Sequence, residues 1–275
     1  MPNLNLNDTF ENVTKSIRDG GDGLRTILCH RYNYELFVHG SIPRLGIPGT
    51  RFTDGSRGVV MGSSTAFPVA MAHGATRDID LERRIGDAIG REAKAQGANY
   101  FAGVCVNLPR HPAWGRIQET YGENPLMLGE SGLALTKGVD EDVLHEVYLP
   151  HFRRIVEGGV ASVMSAYNLV NGKWADQNGN LLTDILRGKW GYEGFVLSDF
   201  IFGLRDPVTS PRNGLDIEAP FIQQRALEFG QALETGQLDL ADVDRSCVRS
   251  LSKELEFAAR NEHSQPDTSV VFSVL

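Results

Sequence analysis

The chain has 275 residues, 41% of them hydrophobic, with 30 glycines and 12 prolines. That is enough for one sizeable core, and an α/β barrel of this length need not divide into two domains. A net charge of -8 argues against nucleic acid or an anionic membrane surface as partner.

Cys29, Cys105 and Cys247 are far apart, with no CxxC or Cys/His metal spacing, so they read as buried thiols in a reducing compartment. No metal or organic cofactor is expected. Met1 to Thr9 lack a basic-then-apolar leader, and no apolar run approaches the ~20 residues that span a bilayer. The expectation is a soluble, cytoplasmic protein.

Residues 1–40 are weakly patterned and predict an N-terminal extension, with Phe10, Val13 and Ile17 at helical spacing. Arg51 to Gly58 reads as a short strand ending in a loop loosened by Gly55 and Gly58. Asp54 and Arg57 there are either a loop ion pair or an acceptor and a donor fork for a polar ligand. Thr65 to Ala70 reads as another strand. Asp80 to Gln96 predicts a helix, with Leu81, Ile85, Ala88 and Ile89 on one face and Gly97 at its end.

Tyr100 to Val106 predicts a strand, and Trp114 to Pro125 a loop dense in polar and aromatic groups. Leu126 to Val139 reads as helical, and Val143, Leu144, Val147 and Tyr148 open a second helix with no strand between. Pro150 is placed to kink it, and Phe152 and Ile155 continue its apolar face. A strand at Ala161–Ser165 and a helix at Asn180–Gly188 follow. In Gly194-Phe195-Val196-Leu197-Ser198-Asp199-Phe200, three consecutive apolar residues read as a strand buried on both faces. Asp216 and Glu218 mark one more strand end. Gln224–Leu233 and Ala241–Arg260 predict amphipathic helices, and 261–275 a tail or linker.

Strands alternating with helices imply an α/β fold of parallel strands. About six strand candidates each carry polar residues just past the C-terminal end, which favours a TIM-like (β/α) barrel over 41–260 with a site on one face. The absence of a strand near Val139 makes that barrel incomplete. No glycine-rich phosphate fingerprint follows a strand, so a dinucleotide fold is disfavoured. Asp199 stands where barrel chemistry sits, as an attacking carboxylate or as a loop carboxylate capping the next turn.

Four motifs then add up. Arg51-Phe52-Thr53-Asp54-Gly55-Ser56-Arg57-Gly58, Gly115-Arg116 with Glu119 to Pro125, Met164-Ser165-Ala166-Tyr167-Asn168, and Ser198-Asp199-Phe200 resemble the N-terminal barrel of glycoside hydrolase family 3, the β-glucosidase group. The resemblance runs from about Leu45 to about Arg260. It implies retaining hydrolysis of a non-reducing terminal β-linked sugar, with Asp199 as nucleophile. It implies Asp54, Arg57, Arg116 and Tyr167 around the terminal sugar, and Phe200 where the family usually has tryptophan. The partner it implies is a small-molecule β-glycoside or oligosaccharide.

Two departures accompany the resemblance. The family carries a further strand between Val139 and Asp140, with a Lys-His pair and a downstream arginine that bind the sugar. Its acid/base glutamate comes from a second domain absent here. A barrel lacking a strand presents unpaired edges, so a homodimer closing the gap is one expectation. The alternatives to a weak enzyme are a non-catalytic sugar-binding barrel, or a degenerate barrel that needs a partner chain.

Overall fold

The computed structural model describes residues 34–109, 111–122, 144–220 and 223–261. The helix expected over Leu126–Val139, the junction at Asp140, the spacing of Phe10, Val13 and Ile17, and the tail after Asn261 lie outside the described residues.

The first half is built on three short strands. β1 (Phe37–His39) runs antiparallel to β2 (Thr50–Thr53), and β2 pairs in parallel with β3 (Tyr100–Phe101). β1 falls inside the stretch expected to be an extension. Between β2 and β3 lie α1 (Ala70–Thr76) and α2 (Ile79–Ala95). Asp78 caps α2, its side chain accepting from the Asp80 and Leu81 amides. The strand expected at Thr65–Ala70 does not form. Pro68 has no amide to give a ladder, and Thr65 binds Glu92 through its amide (3.0 Å) and its hydroxyl (2.5 Å). Val59, Ala93 and Ala98 form the local core.

The second half opens with a π-type turn at Leu144–Tyr148, and α3 (Pro150–Glu157) starts at Pro150. That proline begins a helix rather than bending one, because at the first position no amide is required. β4 (Ser162–Met164) leads into a hairpin of β5 (Leu169–Val170) and β6 (Lys173–Trp174), which sequence reading missed. α4 (Asn180–Lys189) winds as a π-helix, and β7 (Phe195–Leu197) pairs in parallel with β4. Leu197 bridges in parallel to Ile217, so the segment after α5 (Ser210–Asn213) adds to the same sheet. α6 (Gln224–Glu234) and α7 (Leu240–Asn261) complete the described chain.

β7 is buried on both faces, which explains its unbroken apolar triplet. Val196 points to the cluster of Leu182, Leu186, Tyr192, Leu204 and Leu215, whereas Phe195 and Leu197 pack with Ala219 against Tyr100, Met164 and Ile217. Among the described residues no ladder joins β3 to β4. Side chains bridge the two halves instead. The Tyr100 and Ser162 hydroxyls lie 2.5 Å apart, the Tyr100 and Phe195 rings 6.1 Å, and the Phe52 and Phe200 rings 4.7 Å.

No helix among the described residues is long and apolar enough to cross a membrane. The cysteine expectation needs correction for the two described thiols: Cys105 is half-buried and Cys247 exposed, while Cys29 lies outside the described residues.

Candidate active site

The ends of β2, β3, β4 and β7 each deliver one polar side chain to a common region. Asp199 follows β7 after the buried Ser198, whose amide donates to Ile217 O (2.9 Å) and whose hydroxyl accepts from the Ala219 amide (2.9 Å). The Phe200 amide donates to Asp199 Oδ1 at 2.8 Å. A tight turn follows, with Ile201 at φ +64° and the Phe202 amide 2.6 Å from Phe200 O. That turn holds the carboxylate at the strand end.

Tyr167, three residues past β4, donates to Phe200 O at 2.6 Å and lies within hydrogen-bonding reach of the Asp199 carboxylate. Asp54, just past β2, and Arg116, on the loop after β3, both act electrostatically on Asp199. Asp54 Oδ1 accepts from the Gly55 amide at 2.7 Å. The β2 and β3 loops meet backbone to backbone there. A Cβ at Gly103 would collide with the Gly55 carbonyl oxygen, so that position requires glycine.

Burial pushes the Asp199 carboxyl above the usual carboxylate range. The Phe200 amide, the Tyr167 hydroxyl and the Arg116 charge pull it back, while Asp54 adds to the push. Burial and the Asp199 charge raise the Tyr167 phenol to about 12. Cys105, half-buried after β3, is raised by burial and feels Arg116, Glu119 and Asp199 together. A carboxylate in this setting is partly desolvated yet flanked by donors, a combination that suits attack on an electrophilic carbon.

The structure thus brings Asp54, Arg116 and Tyr167 around Asp199. It does not bring Arg57, which is exposed and donates to Phe67 O at 3.0 Å. The Asp54–Arg57 loop ion pair weighed from the sequence is not seen. The Phe200 ring packs on Phe52 and into the cluster of Phe195, Leu197 and Ala219. The exposed ring on this loop is Phe202. Sequence reading missed Cys105, which a polar residue near a strand end could have signalled, and the partners of Arg116.

Asp216 and Glu218, the other strand-end acids, serve the scaffold. Asp216 accepts from the Val196 amide (2.8 Å), Arg187 (2.5 Å) and Arg249 (3.0 Å). Glu218 accepts from the amides of Gln223, Gln224 and Arg225. Among the described residues no group of His, Cys, Asp and Glu could hold a metal ion.

Comparison with known proteins gives a consistent answer. The family model described as the N-terminal domain of glycosyl hydrolase family 3 matches residues 32–141 and 127–251. A β-glucosidase of Rhizobium radiobacter is 36% identical over 248 residues, covering 77% of this chain and 30% of the relative. β-Glucosidase B of Emericella nidulans is 33% identical, covering 65% and 25%. Among solved structures, a β-glucosidase from Streptomyces venezuelae in complex with D-glucose superposes with TM-score 0.72 at 28% identity, over 87% of this chain and 37% of that one. β-Glucosidase 3B of Thermotoga neapolitana in complex with glucose gives 0.71 at 28%, over 86% and 40%. The chain spans between a quarter and a third of these two curated relatives. Its fold agrees with the TIM-like barrel of these neighbours. On the matched motifs and this likeness together, the chain belongs to glycosyl hydrolase family 3, within the part of the family represented by its N-terminal domain.

Proposed function

We propose that this chain carries the nucleophile half of a retaining, exo-acting β-glucosidase site. Asp199 attacks the anomeric carbon of a terminal β-linked sugar as the bond to the leaving oxygen breaks. Water then cleaves the glycosyl-enzyme ester and returns the carboxylate. Asp54 accepts and Arg116 donates hydrogen bonds to sugar hydroxyls, and Tyr167 steadies the Asp199 carboxylate. The observation that carries the reading is the convergence of Asp54, Arg116 and Tyr167 on Asp199 from separate strand ends.

No acid/base is assigned. A retaining pair needs a second carboxyl about 5–5.5 Å from the nucleophile, and Asp216 and Glu218 are committed to Arg187, Arg249 and backbone amides. Among the described residues no carboxyl is assigned to protonate the leaving oxygen, and substrates with good leaving groups need that help least. Loss of that help typically costs about 10²–10⁴-fold.

The incomplete barrel belongs to the same proposal. Two observations support it. The family model matches in two pieces that overlap at 127–141. The alignment to the Rhizobium radiobacter enzyme runs over 248 positions yet takes in 77% of 275 residues, so that relative carries residues this chain lacks. A homodimer would cover the edges of β3 and β4. A mass in light scattering that stays monomeric at every concentration would count against it.

Hydrolysis of an activated aryl β-glucoside by wild type and by Asp199→Asn tests the central reading. Turnover by wild type alone is expected, and equal rates in the two proteins overturn it. A second reading, sugar binding without turnover, is favoured by the commitment of Asp216 and Glu218 to scaffold bonds. It predicts that glucose raises the melting temperature of a protein with no measurable activity.

A further inference from the structure

Among the described residues, Arg116 is held by the side chain of Glu119. Its Nε lies 3.0 Å from both Glu119 oxygens, and its Nη2 donates to Oε2 at 2.6 Å. The two ends of this pair differ. The Arg116 side chain is 57% exposed and the Glu119 side chain 15%. The carboxylate is the anchored partner and the guanidinium the presented one.

The anchoring has a local cause. Arg116 precedes a single 3₁₀ turn, Ile117–Glu119, closed by the Glu119 amide on Arg116 O (3.0 Å). Thr120, buried, fixes the end of the turn through its amide and hydroxyl on Ile117 O, 3.3 and 3.1 Å away. The next residue packs against α1, where a Cβ on Gly74 would strike Tyr121 O. Glu119 therefore sits on a clamped segment, three residues from the arginine it grips.

We propose that Glu119 is a positioning residue for the Asp199 site, holding the Arg116 fork in one orientation and offsetting its positive charge beside the nucleophile. The inference rests on the reading that Arg116 faces the sugar. A guanidinium has five N–H donors, and Nε with one Nη2 proton engages Glu119. The remaining donors belong to a side chain that is 57% exposed, with the Glu119 charge offsetting their own. An unpaired arginine there would over-stabilise the Asp199 carboxylate and blunt its attack.

Among the described residues, the charged and titratable groups around Asp199 are Asp54 after β2, Cys105, Arg116 and Glu119 after β3, and Tyr167 after β4, with Arg205 acting on Tyr167. Cys105 feels Arg116, Glu119 and Asp199 at once, so its thiol reports the local charge without any sugar.

The experiment uses the full chain and iodoacetamide at pH 8, with alkylation of Cys105 followed by peptide mass spectrometry. Glu119→Gln keeps the side-chain shape and removes the negative charge. It is expected to speed Cys105 alkylation about 3–10-fold, because more of the thiol ionises. Arg116→Gln is expected to slow it by a similar factor. An unchanged rate in Glu119→Gln, or shifts of the same sign in both variants, overturns the proposal.

A second measurement covers the positioning role. In hydrolysis of an activated aryl β-glucoside, Glu119→Asp keeps the charge but withdraws the carboxylate, so KM rises roughly tenfold with the acid limb of the pH profile unmoved. Glu119→Gln moves that limb to lower pH. A Glu119→Asp protein with wild-type KM also overturns the proposal. If wild type shows no turnover, the glucosidase reading fails, and the thiol rates still decide the role of Glu119.

Discussion

The two halves of the molecule hold their polar side chains by different means. Around β7 the charges are buried and multiply bonded. Asp216 ties Arg187, Arg249 and the Val196 amide together, and Arg225 donates to Asp216 O, Leu215 O and the Ser210 hydroxyl. Around β2 and β3 the core is a small cluster of Val59, Ala93 and Ala98, and Arg116 reaches the site from an exposed loop. Asp199 stands on the rigid half, and Asp54 and Arg116 stand on the lighter one. A nucleophile must keep its line of attack, so it gains from a fixed strand. Groups that grip sugar hydroxyls can tolerate small movements, so adaptable loops suit them.

The largest expected effect comes from breaking the seam between the halves. Phe52→Ala removes the ring that meets Tyr100 and Phe200, with an expected loss of about 3–5 kcal/mol, at the lower end if the seam closes up. If the halves couple only through these rings, Phe52→Ala also makes unfolding less cooperative, visible as a lower m-value. Next is the rigid half. Asp216→Ala leaves the largely buried Arg187, the partly exposed Arg249 and the Val196 amide without this acceptor, and is expected to cost about 3 kcal/mol in denaturant unfolding.

A smaller effect is expected at the site. Tyr167→Phe removes the hydroxyl that holds Phe200 O beside the Asp199 carboxylate and helps lower it, so the acid limb of activity moves to higher pH. The catalytic efficiency falls about tenfold, as for one lost hydrogen bond at the site. The smallest effect isolates Asp176, which burial raises to about 6. Its folded-state value lies above the ordinary 3.8, so the folded protein holds the proton more tightly than the unfolded chain. Its contribution to stability is therefore present at low pH and lost as pH rises from about 4 to about 6. Asp176→Asn is expected to remove that part of the decline in melting temperature, and an unchanged pH profile would contradict it.

The rigid half was the more legible of the two in the sequence. Phe195-Val196-Leu197 declared itself because both faces are buried, and the α2 stripe because one face is, whereas the apolar spacing of α7 misled, since Val248 and Leu255 are exposed and Asp242 and Ser246 are buried. The hairpin was passed over although Asn171-Gly172 is a favoured turn dipeptide, since its strands hold only two residues each. Thr65 to Ala70 looked like a strand because an apolar run does not reveal that Glu92 already claims its polar groups. The scaffold roles of Asp216 and Glu218 depend on partners brought near by folding, so spacing alone gave no hint of Arg249. Arg116 and Glu119 were both in view, three residues apart, but only the closed turn makes their pairing bidentate.

The most direct measurement of the central claim is covalent. An activated 2-deoxy-2-fluoro-β-glucoside forms its glycosyl-enzyme faster than water releases it, so the attacked side chain keeps the sugar and peptide mass spectrometry can locate it. The account predicts the added mass on Asp199 in wild type and none in Asp199→Asn. A label on another carboxylate, or an unlabelled protein that still hydrolyses the parent aryl glucoside, would contradict it.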